Sequence, residues 1–75
     1  MYAEYTVTHH NPLTISHKGR LIECAGYNLV EGPDLVFLSY GNEHVAIFTP
    51  QTTGERIFQA VVDHSVERQM SEARI

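Results

Sequence analysis

The spacing of apolar residues changes near Pro50 and divides the 75-residue chain into two parts. Before Pro50, apolar and polar residues alternate in short runs between turn residues, and this period of two predicts β-strands. After Pro50, apolar residues recur every three or four positions, as on one face of a helix. The sequence therefore predicts a single α+β domain. Residues 1–50 form an antiparallel sheet of four to five strands (a meander or partial barrel), with one C-terminal helix over 53–71 packed on it and a frayed tail at 72–75.

The strands of the first half are separated by recognisable turns. Residues 2–8 are rich in tyrosine, threonine and valine, which favour strands. The segments LTISH and RLIEC flank a tight turn at Lys18-Gly19. A two-residue loop there places Ile15 opposite Ile22, so that apolar residues match across the pair. Gly26 interrupts the next apolar run and predicts a β-bulge within a strand.

The clearest hairpin spans residues 35–48, where two apolar runs flank Gly41-Asn42. A two-residue loop there places Val36 opposite Ile47. Both faces of this hairpin are apolar, whereas a half-solvated sheet carries polar residues on one face. Both faces therefore need a cover. The C-terminal helix supplies one, and either the N-terminal strands or a second copy of the chain supplies the other.

The helix prediction rests on a capping pattern and on apolar spacing. Thr52 followed by Glu55 matches the capping box that opens many helices. His64 lies on the solvated side in this interpretation. The apolar residues that recur at helical spacing are Phe58, Val61, Val62, Val66 and Met70.

The charge of the chain bears on its partners. Nine acidic and five basic residues give a net charge of −4. Nucleic-acid-binding proteins normally present a basic face, and here only Lys18 and Arg20 lie close together. The composition disfavours nucleic-acid binding, and a small nucleic-acid-binding or regulatory protein that uses these two residues with the tyrosines is an alternative hypothesis.

Neither a membrane span nor a secretory signal is expected. No apolar run approaches the roughly 18 residues that a transmembrane helix needs. The N-terminal residues lack the basic start and apolar stretch of a signal peptide. Cys24 is the only cysteine, so no internal disulfide can form. We therefore expect a reducing, cytoplasmic setting.

Three histidines, His9, His10 and His17, are the candidate metal ligands. Adjacent residues of a strand point to opposite faces, so His9 and His10 cannot easily share one ion. A simple hairpin at Asn11-Pro12 places His17 opposite Thr6, away from both. Zinc sites use tighter spacings such as C-x-x-C or H-x-x-x-H. We expect polar histidines at strand ends and no cofactor, with a histidine-dependent metal-binding protein as an alternative.

No catalytic constellation stands out in the sequence. Cys24 needs a histidine base to act as a nucleophile, and the hairpin register places it opposite Leu13 as a buried structural residue. Asp63 and Glu67 share one side of the helix, where paired carboxylates are more often solvated than catalytic. We expect a non-enzymatic protein. A subunit of an enzyme is the alternative, and it needs a pocket that brings Cys24 or Asp63 to a histidine.

The turns and apolar runs of residues 22–50 include Ala25, Tyr27, Val30-Glu31-Gly32, Leu35-Val36-Phe37, Val45-Ala46 and Phe48. This segment resembles a meander that recurs in small uncharacterised bacterial and phage proteins. The resemblance implies a fold and a possible source, and it brings no catalytic residues.

Together these features favour a small protein–protein interaction module that forms a homodimer and binds a further protein. Tyrosines suit such an interface because the ring packs while the hydroxyl stays hydrated. By analogy of size and mild acidity, the specific hypothesis is a phage or mobile-element inhibitor of a host protein, such as an anti-defence or anti-CRISPR protein. The candidate interface residues are Tyr2, Tyr5, Phe37, Leu38, Tyr40, Val45 and Ile47.

Overall fold

The computed structural model describes residues 4–72, and these form six β-strands and one helix. The α+β class is confirmed, and the helix lies within one residue of the predicted range 53–71. Residues 73–75 of the predicted tail lie outside the described residues. Within residues 4–72 no helix is long and apolar enough to cross a membrane. In chain order the elements are β1 (Tyr5–His10), β2 (Leu13–His17), β3 (Arg20–Cys24), β4 (Tyr27–Glu31), β5 (Val36–Tyr40), β6 (Glu43–Phe48) and α1 (Gly54–Glu72).

Two antiparallel sheets of three strands each take the place of the single predicted sheet. The first sheet has the order β1-β2-β3 and the second has the order β4-β5-β6. The predicted count of four to five strands is too low because Gly26 ends a strand instead of forming a bulge in one. Ala25 and Gly26 make a turn, and the φ of 86° at Gly26 lies where L-residues are rarely found. A Cβ at Gly26 would also overlap the ring of Tyr40.

The hairpin between β2 and β3 has the predicted register. Ile15 lies opposite Ile22, and Leu13 lies opposite Cys24. The turn at Lys18-Gly19 has a positive φ at both residues, 54° and 76°. Two consecutive positive φ angles are typical of the type I′ turn that joins tightly paired strands. Local sequence was sufficient to predict this hairpin.

The hairpin between β5 and β6 departs from the predicted register beyond its loop. Val45 is an extra residue in β6, so Val36 lies opposite Phe48 and not opposite Ile47. A bulge of this kind moves every residue beyond it to the other face of the sheet. Phe48 therefore faces the core, and Ile47 faces outward.

The core gathers residues from both sheets and from α1. Leu13 and Ile15 of β2 and Leu38 of β5 are fully buried. Each sheet thus turns one face inward, and removal of these side chains from water is the main source of stability. The remaining buried core residues are Cys24, Tyr27, Leu29, Val36, Ile57 and Val61.

The helix turns a different face inward from the predicted one. Its buried residues are Ile57, Val61 and His64. His64, which was expected on the solvated side, is only 8% exposed. The reason is that this face meets the tyrosine rings of the second sheet, which accept a polar residue as well as apolar ones. The residues of the predicted apolar stripe that stay exposed are Val62, Val66 and Met70.

The start of α1 is fixed by a cap and by a close contact with β1. Thr53, one residue after the predicted Thr52, caps the helix, and its hydroxyl accepts a hydrogen bond from the Arg56 N–H at 3.3 Å. Gly54 follows the cap, and a Cβ there would overlap the carbonyl oxygen of Tyr5. The first turn of α1 thus packs directly against the backbone of β1.

Candidate protein-binding face

The outward side of the second sheet carries a row of apolar side chains. Val30 lies opposite Phe37, and Phe37 lies opposite Ile47. Their strand neighbours Leu29 and Leu38 point into the core, so these three residues point away from it. Val30 is 58% exposed, Ile47 is 51% exposed and Phe37 is half-buried. We call Val30, Phe37 and Ile47 the outer row.

Three polar residues continue this side of the sheet beyond the outer row. They form the next row of residues on this side of the sheet, where Asn28 lies opposite Ser39 and Ser39 lies opposite His44. The His44 ring stands edge-on to the ring of Phe37, with 6.4 Å between the centroids. We call the outer row together with Asn28, Ser39 and His44 the outer face. It holds no carboxylate, lysine or arginine, although the chain has a net charge of −4.

The structure separates the predicted interface residues from one another. Phe37 and Ile47 lie in the outer row. Leu38 is fully buried in the core, so its assignment to an interface was wrong. Val45 is half-buried at the bulge of β6, and Tyr40 is half-buried on the inward side of the sheet. Leu38 and Phe37 are neighbours on one strand, and the alternation of side chains sends one of them inward and the other outward.

Tyr5 belongs to an inward aromatic stack and not to an exposed surface. Its ring lies nearly parallel to that of His17, with 3.7 Å between the centroids, and 5.2 Å from the ring of Phe58 in α1. A bulge in β1 at Thr8 shifts the pairing between β1 and β2 by one residue. His17 therefore lies opposite Tyr5, whereas the sequence predicted Thr6 as its partner. Tyr2 lies outside the described residues.

The three candidate metal ligands have different surroundings. His17 is in the stack with Tyr5, and its Nδ1 is buried without a hydrogen-bond partner. His9 and His10 are exposed; the Nδ1 of His10 lies 3.8 Å from the carboxylate of Glu31. Across residues 4–72 there is no group of three or more histidine, cysteine, aspartate or glutamate residues that could hold a metal ion.

A hydrogen-bonded network that the sequence did not reveal joins the second sheet to α1. The Nδ1 of His64 lies 2.8 Å from the Tyr27 hydroxyl, and its Nε2 lies 3.2 Å from the Glu43 carboxylate. An ionised carboxylate only accepts, so in the neutral ring Nε2 donates to Glu43 and Nδ1 accepts from Tyr27. Both nitrogens of this buried ring are therefore satisfied.

Arg68 extends the network on the other side of Tyr27. The nearby Tyr27 hydroxyl raises the pKa of Arg68, and the guanidinium is charged. It also lies over the ring of Tyr40, 4.3 Å from the centroid, in a cation–π contact. The signal that could have identified this face is the spacing of Ile57, His64 and Arg68, which places them on one side of a helix.

A groove of about 350 Å³ lies between α1 and the β3–β4 region. Cys24 is buried, as predicted, and it lines this groove. Burial raises the pKa of the Cys24 thiol, which makes it a weak nucleophile. No histidine lines the groove among the described residues. Asp63 is on an exposed part of α1, where its carboxylate accepts a hydrogen bond from Gln59 at 3.0 Å.

Comparison of the chain with family models, with curated proteins and with solved structures gave no match. The resemblance of residues 22–50 to small bacterial and phage proteins therefore stays a prediction. Function has to be argued from the outer face, the network and the groove.

Proposed function

We propose that this chain is a small, non-enzymatic protein-binding module that acts as a homodimer. The observation that carries the proposal is the outer row, in which three neighbouring apolar side chains lie on the outward side of a sheet. Removal of apolar surface from water contributes roughly 25 cal/mol per Å². A partner that covers the outer row gains this free energy.

Charge favours a second copy of the chain as that partner. Each copy has a net charge of −4, so most approaches between two copies bring like charges together. The six residues of the outer face include no carboxylate, lysine or arginine, so the centre of such a contact buries no unpaired charge. A two-fold axis sets the outer row of one copy against the same row of the other, which is the isologous arrangement of most homodimers. Because the face is small, the association is weak and depends on concentration.

The experiment that tests this proposal is light scattering coupled to size-exclusion chromatography over a concentration series. Ile47→Glu places a charge in the outer row. Leu21→Glu is the matched control, because Leu21 is 69% exposed on the outward side of the first sheet. We expect the wild type and Leu21→Glu to dimerise as concentration rises and Ile47→Glu to remain monomeric. A wild type that stays monomeric, or an Ile47→Glu variant that dimerises equally well, contradicts the proposal.

A further protein partner completes the proposed function. The specific role is inhibition of a host protein by a phage or mobile-element product in the cytoplasm, and its support is the small size, the mild acidity and the single cysteine of the chain. Purified chain is mixed with candidate defence effectors, and both co-migration and effector activity are measured. Co-migration with loss of effector activity supports this role, and neither effect in any pairing counts against it.

A further inference from the structure

The groove between α1 and β3 has apolar walls that the fold leaves open. Ile22 of β3 forms one side, and Phe58, Val62 and Val66 of α1 form the other. Val62 and Val66 belong to the part of the predicted apolar stripe that the rotation of α1 leaves exposed. Ligand sites in proteins are concave, mostly apolar and supplied with a few polar groups, and this groove is at the small end of their volume range.

The polar groups of the groove lie towards its end at the C-terminal part of α1. Tyr27 and Arg68 both line the groove, and Arg68 is the only charged residue that does so among the described residues. The Nε of Arg68 is buried, so the terminal N–H groups of the guanidinium are the donors that a ligand can reach. A guanidinium has five N–H donors, and four of them are on its two terminal nitrogens. Donors are therefore left for an anionic group.

We propose that this groove binds a carboxylate with an unbranched aliphatic tail, such as a medium-chain fatty acid. The carboxylate accepts hydrogen bonds from Arg68, and the tail lies along Ile22, Phe58, Val62 and Val66. Charge supports this occupant: the chain as a whole is acidic, yet the groove is lined by one cation and no carboxylate. Arginine is suited to this task because its planar donors match the two oxygens of a carboxylate.

The length of the groove sets the length of the tail. Phe58 and Arg68 are ten helical residues apart, which corresponds to about 15 Å at 1.5 Å per residue. A tail of about eight to ten carbons covers most of that distance, and the long Arg68 side chain takes up the rest. Each methylene that leaves water raises affinity by up to about fourfold. Decanoate is therefore the probe, and hexanoate is expected to bind at least about tenfold more weakly.

The test is a titration of the ¹⁵N-labelled chain with decanoate, followed by NMR, with decyltrimethylammonium as a cationic probe of the same tail length. We expect saturable shifts at Val62, Val66 and Arg68 with decanoate and no saturable binding of the ammonium. Decanoate without saturable binding, or equal binding of both probes, overturns the proposal. Shifts confined to the outer row also overturn it.

Two variants locate the site without relying on a single substitution. Arg68→Gln removes the cation, and we expect at least about a tenfold loss of decanoate affinity. Val66→Glu adds a repelling carboxylate at an exposed position of the wall and abolishes binding while the fold is retained.

Ile47→Glu lies on the outer face and leaves decanoate affinity unchanged. If both groove variants bind decanoate as the wild type does, the site is wrong. Because Ile47→Glu probes the dimer and not the groove, failure of this proposal and failure of the homodimer are seen separately.

Discussion

The two sheets of this molecule have the same size and connectivity but opposite outward surfaces. Each is a three-stranded antiparallel meander with one apolar face in the shared core. On the outward side of the first sheet, Thr6 lies opposite Ser16 and Ser16 lies opposite Leu21. On the outward side of the second sheet, the outer row likewise runs across all three strands, and its three side chains are all apolar.

This difference shows that the backbone does not decide which face of a sheet meets water. Threonine and serine hydroxyls can hydrogen-bond to water, and only Leu21 of these three residues of the first sheet is apolar. The outer row has no such groups, and neighbouring apolar side chains at a surface are a feature of interaction sites. The second sheet is therefore the one for which we propose a partner.

The largest expected effects come from the core, where the two sheets are alike. Leu13→Ala in the first sheet and Leu38→Ala in the second each remove a fully buried side chain. We expect each to lower the free energy of unfolding by about 2–5 kcal/mol, measured by urea denaturation. Leu21→Ala, on the outward side, is the control and changes stability by less than about 0.5 kcal/mol. A small effect at Leu38 alone means that the second sheet does not share the core as described.

The next largest effect comes from making the two outward surfaces alike. The triple variant Val30→Thr, Phe37→Thr and Ile47→Thr gives the second sheet the hydroxyl surface of the first, and threonine suits strands. We expect the fold to persist while self-association weakens by at least about 30-fold, or about 2 kcal/mol, because apolar burial is lost. Sedimentation equilibrium measures this loss. Unchanged self-association of a folded triple variant argues that the dimer uses another surface.

A smaller loss of stability is expected when the side-chain hydrogen bonds between the second sheet and α1 are removed. Tyr27→Phe leaves the buried Nδ1 of His64 without a donor, and we expect a loss of about 1.5 kcal/mol in the free energy of unfolding. Glu43→Gln alters the solvent-exposed end of the same network and costs less than about 0.5 kcal/mol. Thermal and urea unfolding of both variants provide the comparison. Equal losses from the two changes contradict the unequal burial of the partners of His64.

The smallest effect concerns Cys24, which lies in the first sheet at the edge of the groove. Burial raises the pKa of its thiol in the folded state above the ordinary value of 9.0. The folded state therefore retains the proton more strongly than the unfolded state, and the stability from this group is complete below pH 9 and declines as pH rises above it. Urea unfolding of the wild type and Cys24→Ala between pH 7 and 10 measures the difference. A wild type that loses no more stability than the variant at high pH contradicts the burial of the thiol.

The features that the sequence predicted well are those that depend on neighbouring residues. The Lys18-Gly19 turn, the Ile15–Ile22 register and the range of α1 follow from local turn chemistry, alternation and helical spacing. Each of these patterns has one favourable solution within a few residues. These features therefore depend little on tertiary contacts.

The features that were missed depend on contacts between distant segments. The bulge at Val45 exchanges Ile47 for Phe48 on the inward face, and since both residues are apolar the sequence offers no reason to prefer either. The rotation of α1 towards His64 depends on Tyr27, which is 37 residues away in sequence. Phe37 and Ile47 were both predicted interface candidates, and their pairing in one row depends on the bulge.

The most direct test of the central claim is an intermolecular NOE measurement on a mixture of ¹³C-labelled and unlabelled chains at a concentration where dimers are populated. Filtered spectra report only protons of one copy that lie within about 5 Å of the other copy. A dimer through the outer row predicts NOEs between the Phe37 ring of one copy and the Ile47 and Val30 methyl groups of its partner. Intermolecular NOEs that involve Val62 and Val66 instead, with none from the outer row, would contradict it.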